Sequence, residues 1–263
     1  MNYQHILFEL KNDVHTVVLN RPELRNAFND EMIAEITDAF DNQIANQESR
    51  AVVIRGAGSA FCAGGDMNWM RRMKGASHEE NLADAKKLDA MFYSVYTCNR
   101  PVISVVQGAT VGGGTGLLSA SDIVIAYVEA KFGFTEAKIG ISPAVISTYL
   151  MQKINAAYLR HFALTAELFS AADAREAGLI TRVENTLESL EERLDQILSS
   201  IFLTGPQAVA RTKELLRIQF EESFDERRKQ ATALIAELRV SNEGQEGLSA
   251  FLDKRTASFA KKR

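Results

Sequence analysis

Two glycine-rich turns and one carboxylate are the residues of this chain whose types and order can do chemistry. Phe61-Cys62-Ala63-Gly64-Gly65-Asp66 and Gly112-Gly113-Gly114 each follow an apolar, strand-like run and lead toward a helical stretch. Glycine lets a backbone N–H approach a ligand closely and tolerates a positive φ. Two such donors aimed at one point would hold the oxygen of a thioester as it becomes an enolate, the electrostatic term that dominates chemistry next to a carbonyl. The triple glycine also opens a helix, whose N-terminal dipole favours developing negative charge. The carboxylate is Glu136, in Phe132-Gly133-Phe134-Thr135-Glu136-Ala137-Lys138-Ile139-Gly140. An enolate site with one acid beside it moves protons. Plainer readings stand next to these: a glycine turn can simply join strand to helix, and Glu136 can be an exposed acid at a strand end.

The elements that must position these groups alternate in the first half. Residues 5–10 and 14–19 read as strands joined by a short turn at Lys11-Asn12-Asp13. A helix starts after Asn29, a plausible N-cap, with Asp30 and Glu31 well placed in its first turn and Met32, Ile33, Ile36, Phe40 and Ile44 on one face. A buried strand over 51–55 ends at Gly56-Ala57-Gly58, and the first glycine-rich turn is expected directly after it. Leu82, Ala85, Leu88, Phe92 and Val95 mark another helix. Strands follow over 102–106, 122–126 and 131–134, with a small-residue helix from the triple glycine through Ser119. Such strand–turn–helix repeats predict an α/β fold of stacked ββα turns rather than a closed barrel. Beyond Tyr149 strands nearly vanish. Ser170-Ala171-Ala172-Asp173 fits a capping box with Gly178 as the stop, and 187–259 reads as amphipathic helix broken once at Gly205-Pro206. A helical tail with this much apolar face must pack on the core and on a neighbouring subunit.

Composition narrows the classes. The chain has 263 residues, 46% of them hydrophobic, enough for one large core plus an appendage. No apolar run approaches the ~18 residues of a spanning helix, and the start Met1-Asn2-Tyr3-Gln4-His5 has neither a secretory nor a transit-peptide pattern. Cys62 and Cys98 form no pair or metal-ligand spacing and the four histidines are scattered, so a reducing, cytoplasmic setting without metal is expected. A net charge of −4 argues against broad nucleic-acid binding. Arg71, Arg72 and Lys74 make a small basic knot and Lys261-Lys262-Arg263 a basic end, each read first as a solvated face.

The chain resembles the enoyl-CoA hydratase/isomerase (crotonase) superfamily nearly end to end. The likeness runs through Leu19-Asn20-Arg21-Pro22 with Asn26-Ala27-Phe28, both glycine turns, Pro101-Val102-Ile103, Ser121-Asp122-Ile123, Phe132-Gly133 with Glu136, Ala174-Gly178-Leu179-Ile180, and Glu246-Gly247 with Ala250-Phe251-Leu252-Asp253-Lys254-Arg255. The resemblance implies a spiral core of ββα units over 1–190 and a C-terminal helical region over 191–263 that builds a homotrimer, often a homohexamer. It implies that the N–H groups of Gly65 and Gly113 form the oxyanion hole and that Glu136 is catalytic. Coenzyme A, carried as part of the substrate and the sole cofactor chemistry, would lie along Leu24, Arg25 and Ala27, with Ala63, Gly65, Asp66 and Met67 nearer the adenine and thioester. Arg25 would meet a nucleotide phosphate, or be a surface arginine in a charged loop.

One departure bears on mechanism. Two-carboxylate hydratases of the family carry glutamate two positions after the triple glycine, where this chain has Gly116. Glu136 alone can serve a hydratase through one bound water, or a 3,2-enoyl-CoA isomerase without water. The segments 66–73 and 141–147 resemble a subgroup associated with 3-methylglutaconyl-CoA, in leucine breakdown, which also has glycine there. In that reading the substrate's distal carboxylate replaces the missing side chain and Arg71, Arg72 or Lys74 anchors it. Trp69, Met67, Met70 and Met73 then line an acyl pocket, or are plain packing. A non-catalytic or RNA-binding member of the fold is the reading from another class.

Overall fold

A computed structural model describes residues 3–218, 220 and 222–263. Residues 1 and 2, which open the segment Met1-Asn2-Tyr3-Gln4-His5, and residues 219 and 221, inside the expected helical tail, lie outside the described residues. The chain opens with a hairpin of β1 (Ile6–Lys11) and β2 (Val14–Leu19), paired from Ile6↔Leu19 to Lys11↔Val14. Its two-residue turn places Asn12 and Asp13 at φ 49° and 60°, the left-handed region that suits such hairpins and that Asn and Asp tolerate. Helix α1 (Asp30–Asp38) is capped as expected, the Asn29 side chain accepting the Met32 N–H, and a wider turn carries it on through Ala39–Ile44.

From β3 the chain repeats one unit. Strands β3 (Ala51–Gly56) and β4 (Ala60–Cys62) lead to α2 (Met67–Met73) and α3 (His78–Thr97). Strands β5 (Val102–Val106) and β6 (Ala109–Val111) lead to α4 (Gly113–Ala120), and β7 (Ile123–Tyr127) and β8 (Lys131–Gly133) lead to α5 (Ala144–Leu150). Helix α6 (Ala156–Thr165), β9 (Leu168–Ser170), α7 (Ala171–Glu176) and β10 (Arg182–Glu184) complete this part. The first strand of each unit joins a six-stranded sheet, β1-β2-β3-β5-β7-β10, and the second joins a four-stranded sheet, β4-β6-β8-β9. Each unit therefore steps sideways by one strand in both sheets, which is the spiral of ββα turns the sequence predicts. The large sheet beyond the hairpin is parallel, and its strands β3 and β5 are near-continuous buried aliphatic runs, as a sheet covered on both faces requires.

Two expectations need correction. The first glycine turn does not follow Gly56-Ala57-Gly58 directly, because the short strand β4 intervenes; β6 similarly precedes the triple glycine. Both are three residues long, too short to show a period. The tail is broken more often than once: α8 (Leu187–Phe202), α9 (Pro206–Ile218), α10 (Phe224–Val240) and α11 (Asn242–Leu252) are separate helices. Ser223 caps the start of α10 and Ser241 the start of α11, and these serines mark the extra helix starts. The Ser170 capping box and the Gly178 stop, at φ 92°, are present.

The chain divides into two compact units, one of the residues to Cys98 with Val102–Leu194, the other of Asn99–Pro101 with Asp195–Arg263. The first contains both sheets and the core built on Phe28, Met32, Ile54, Phe61, Phe92 and Phe132, each almost wholly buried. In the second, Glu243 at the start of α11 accepts the Gln207 and Ala208 N–H groups at 3.0 and 2.8 Å and so caps α9. Arg255 grips Glu246 with two bonds of 2.7 and 2.8 Å. Among the described residues no helix is long and apolar enough to cross a membrane.

Candidate active site

Strands β4, β6 and β8 lie side by side and parallel, with Ala60↔Ala109, Cys62↔Thr110, Thr110↔Phe132 and Val111↔Gly133 in register. Their carboxyl ends therefore meet, and each is followed by one piece of chemistry: Gly64-Gly65 after β4, Gly112-Gly113 after β6, Thr135-Glu136 after β8. Sites collect at the carboxyl ends of parallel strands because the chain leaves the sheet there on the same side.

The first turn is fixed from several directions. Phe28 and Gly65 form a parallel bridge, the Phe28 N–H donating to the Gly64 carbonyl at 2.7 Å and the Asp66 N–H to the Phe28 carbonyl at 2.8 Å. The central residue of such a bridge makes no bond to its partner, so the Gly65 N–H is turned the other way. Arg21 closes the turn from behind, its guanidinium meeting the Asp66 carboxylate at 2.7 Å and the Ala27 carbonyl at 2.7 Å, both side chains of the pair nearly buried. The Asp66 carboxylate also accepts the Asn68 and Trp69 N–H groups, at 2.7 and 3.4 Å, as the N-cap of α2. Burial pushes its carboxyl up, but the Arg21 guanidinium and those amides outweigh this and hold it below the ordinary value. Asn26, at φ 57° and fully buried, bonds the Ala57 and Ala60 carbonyls at 2.8 and 2.9 Å.

In the second turn Gly112 sits at φ 52°, and a side chain there would meet Glu136 Oε1 at 3.3 Å and the Gly64 Cα at 3.7 Å. Those two distances place both glycine turns and the carboxylate at one point. Gly113 has Phe28 against it; a Cβ would lie 2.9 Å from that ring. As the first residue of α4, Gly113 has no carbonyl one turn earlier in the helix to take its N–H. Glu136 Oε2 is buried without a hydrogen-bond partner. Burial raises the Glu136 carboxyl above its usual range, with its own backbone N–H offsetting part of the rise, as suits a group that exchanges protons near neutrality.

A cavity of about 890 Å³ opens over this point. Of the residues expected in the site, Ala63, Gly65, Gly113 and Glu136 line it. Leu24, Arg25, Ala27, Asp66, Met67 and Gly116 are not among its lining residues. Leu24, Arg25 and Met67 are exposed, and the Ala63 N–H donating to the Arg25 carbonyl at 2.9 Å ties that loop to the first turn. Ala27 is buried, and Asp66 is turned to Arg21, so its carboxylate braces the turn instead of facing the cavity. Gly116 is sealed off: a Cβ there would stand 2.6 Å from both Ile146 Cγ2 and Phe92 Cζ. A glutamate at this place has no room.

The basic knot separates. Arg72 pairs with Asp30 at 2.6 Å and Arg71 bonds Asn68 at 2.9 Å, both exposed, and only Lys74 lines the cavity. Trp69, Met70 and Met73 line it too, whereas Met67 does not. Two charged groups lining the cavity, Lys138 and Asp84, are not assigned to the site by the sequence reading. Lys138 lies two residues past Glu136 on the same short helical turn and was legible by adjacency. Asp84, which accepts the Trp69 indole N–H at 3.2 Å, sits mid-helix with no motif to flag it. Cys62, within the first turn, is buried, and burial pushes its thiol up to about 12, so it is no nucleophile. No cluster of metal-ligating side chains occurs among the described residues.

Comparison with known proteins follows the same lines. Residues 9–262 match the family model described as enoyl-CoA hydratase/isomerase. The enoyl-CoA hydratase EchA19 of Mycobacterium tuberculosis is 30% identical over 96% of this chain and 95% of its own. A peroxisomal Delta(3,5)-Delta(2,4)-dienoyl-CoA isomerase of Arabidopsis thaliana is 28% identical over 94% of this chain and 93% of its own. The crystal structure of an enoyl-CoA hydratase from Shewanella pealeana superposes with a TM-score of 0.92 at 33% identity, covering 97% of this chain and 96% of that one.

Proposed function

The chain belongs to the enoyl-CoA hydratase/isomerase family, and from that premise we propose that it hydrates a branched or dicarboxylic 2-enoyl-CoA, with 3-methylglutaconyl-CoA the first substrate to test. The observation that carries this reading is the lone acid at the glycine convergence: Glu136 lies against Gly112 with an unpartnered oxygen, while the place of a second glutamate is filled by Phe92 and Ile146.

In this mechanism the thioester oxygen sits between the Gly65 and Gly113 N–H groups. Glu136 takes a proton from water as the water oxygen bonds C3, the C2=C3 π pair shifts to C1–C2, and the carbonyl π pair moves onto the oxygen held by the two N–H groups. The protonated Glu136 then delivers its proton to C2 as the enolate collapses. Water is added and Glu136 is restored, so one carboxylate suffices for both halves. Lys74 and Lys138 on the cavity wall support a substrate ending in a carboxylate, and Arg71 and Arg72, engaged elsewhere, drop out of that role. The exposed Leu24-Arg25 loop beside Ala63 suits the coenzyme end. The exposed apolar side chains of α9–α11 suit association of three or six copies.

A lone carboxylate also serves a 3,2-enoyl-CoA isomerase, shuttling one proton from C2 to C4 without water, and that is the second reading. Loss of the conjugated-thioester absorbance of 3-methylglutaconyl-CoA, with crotonyl-CoA alongside, is the deciding assay. Fast loss with the branched substrate, and oxygen from labelled water in the product, supports the hydratase. No loss with either, but double-bond migration in a 3-enoyl thioester, selects the isomerase. Replacing Lys74 and Lys138 together by Met should raise KM for the dicarboxylic substrate at least tenfold and leave a neutral one unchanged; equal effects on both would remove the anchoring role.

A further inference from the structure

Part of the cavity wall is carried by α3, where Asn81, Asp84 and Leu88 fall at helical spacing on one face. Asp84 is out of place by local rules. It is past the first turn, where a carboxylate would favour the helix dipole, and aspartate is a weak former of helix interiors. It is half-buried, and burial raises its carboxyl. Its hydrogen-bond partner is Trp69, whose indole N–H reaches Asp84 Oδ1 at 3.2 Å across the turn between α2 and α3. The other edge of the same ring lies against the first glycine turn: a Cβ on Gly65 would be 3.3 Å from Trp69 Cζ3 and 3.4 Å from Cε3. The indole is thus a rigid spacer, held at its N–H by Asp84 and touching Gly65 with its benzo edge.

We propose that Asp84 is a positioning residue, which pins the Trp69 ring against Gly65 and so fixes the direction of the Gly65 N–H. The inference rests on the reading of Gly65 as an oxyanion donor given above. A rigid aromatic is suited to this, because a donor displaced by about 1 Å forfeits much of its value to the transition state. The bond also ties α2 to α3, so the wall over the thioester moves as one piece.

Trp69 is the only tryptophan in the chain, so its emission reports this contact with no background from other indoles. The experiment compares wild type, Asp84→Asn and Asp84→Leu in emission maximum and in steady-state kinetics on the enoyl thioester that wild type turns over. Asn keeps a carbonyl oxygen that accepts the indole N–H; Leu fills the same space without one. Expected are a shifted Trp69 emission and a kcat lowered about 10- to 100-fold in Asp84→Leu, with KM within threefold, and near wild-type values of both in Asp84→Asn. A kcat in Asp84→Leu within twofold of wild type, an unshifted emission, or an Asn variant as impaired as the Leu variant would each overturn the proposal. Failure of wild type to turn over any enoyl thioester would instead overturn the functional reading beneath it.

Discussion

Glu136 carries a cost and, in the function proposed, the proton transfer on the same atoms. A buried carboxylate oxygen without a partner is destabilising when ionised. A raised carboxyl means the folded state holds its proton more tightly than the unfolded chain, so stability falls as pH rises past the ordinary value of 4.5. Glu136→Gln should therefore lower turnover by roughly 10²–10⁴, retain thioester binding, and raise the melting temperature at pH 7. Calorimetry of the two proteins checks the last point; a lower melting temperature for the variant would contradict the burial argument. Activity should fall on acidification with a midpoint above 4.5, because the base is lost on protonation. Gly116 answers to packing alone. Gly116→Ala gains about 1 kcal/mol of helix propensity, yet its methyl meets two buried side chains at 2.6 Å. Overpacking wins, and chemical denaturation should show a net loss of about 1–2 kcal/mol.

At the scale of elements the site is a matter of where strands end. The strands after which the glycine turns fall are three residues each, and their register, not their composition, sets the alignment. That explains what the sequence could and could not reveal. The apolar runs of the core strands, the Asn29 and Ser170 caps and both glycine turns announce themselves in residue type and spacing. The meeting of Glu136 with Gly112 follows from the β6–β8 pairing, and the Asp84–Trp69 bond from the packing of two helices, neither of which leaves a local pattern. Asp66 shows the converse: the family resemblance puts it among the site residues, but the partner that claims it, Arg21, is 45 positions away. Arg21→Met should cost about 3–5 kcal/mol, because it strands a nearly buried carboxylate. The wild-type pair contributes stability above the ordinary aspartate value of 3.8, and that contribution is lost as pH falls through the lower folded-state value. Unfolding curves from pH 7 to pH 2 should consequently converge for wild type and Arg21→Met at the acid end; parallel curves would deny the pair its role.

For the molecule as a whole, the helices after Asp195 carry large apolar side chains that this chain leaves exposed. Phe224, Val240, Phe251 and Leu252 are each between 67% and 81% exposed, and exposed apolar patches mark association surfaces. Sedimentation should give a mass that is three or six times the chain's 29.1 kDa. Phe251→Asp with Leu252→Asp should shift it toward one copy; an unshifted mass would place the contact elsewhere. The sealed space at Gly116 has a consequence on a longer timescale. The glycine codons GGA and GGG are one base from a glutamate codon, so from either of them the second acid is a point mutation away. That mutant meets Phe92 and Ile146 with no space to enter, and shrinking either ring or branch first opens a void. Both orders pass through a weakened protein, so the absence of a carboxylate at position 116 is fenced in by epistasis: a lineage carrying this packing is held to it by its core.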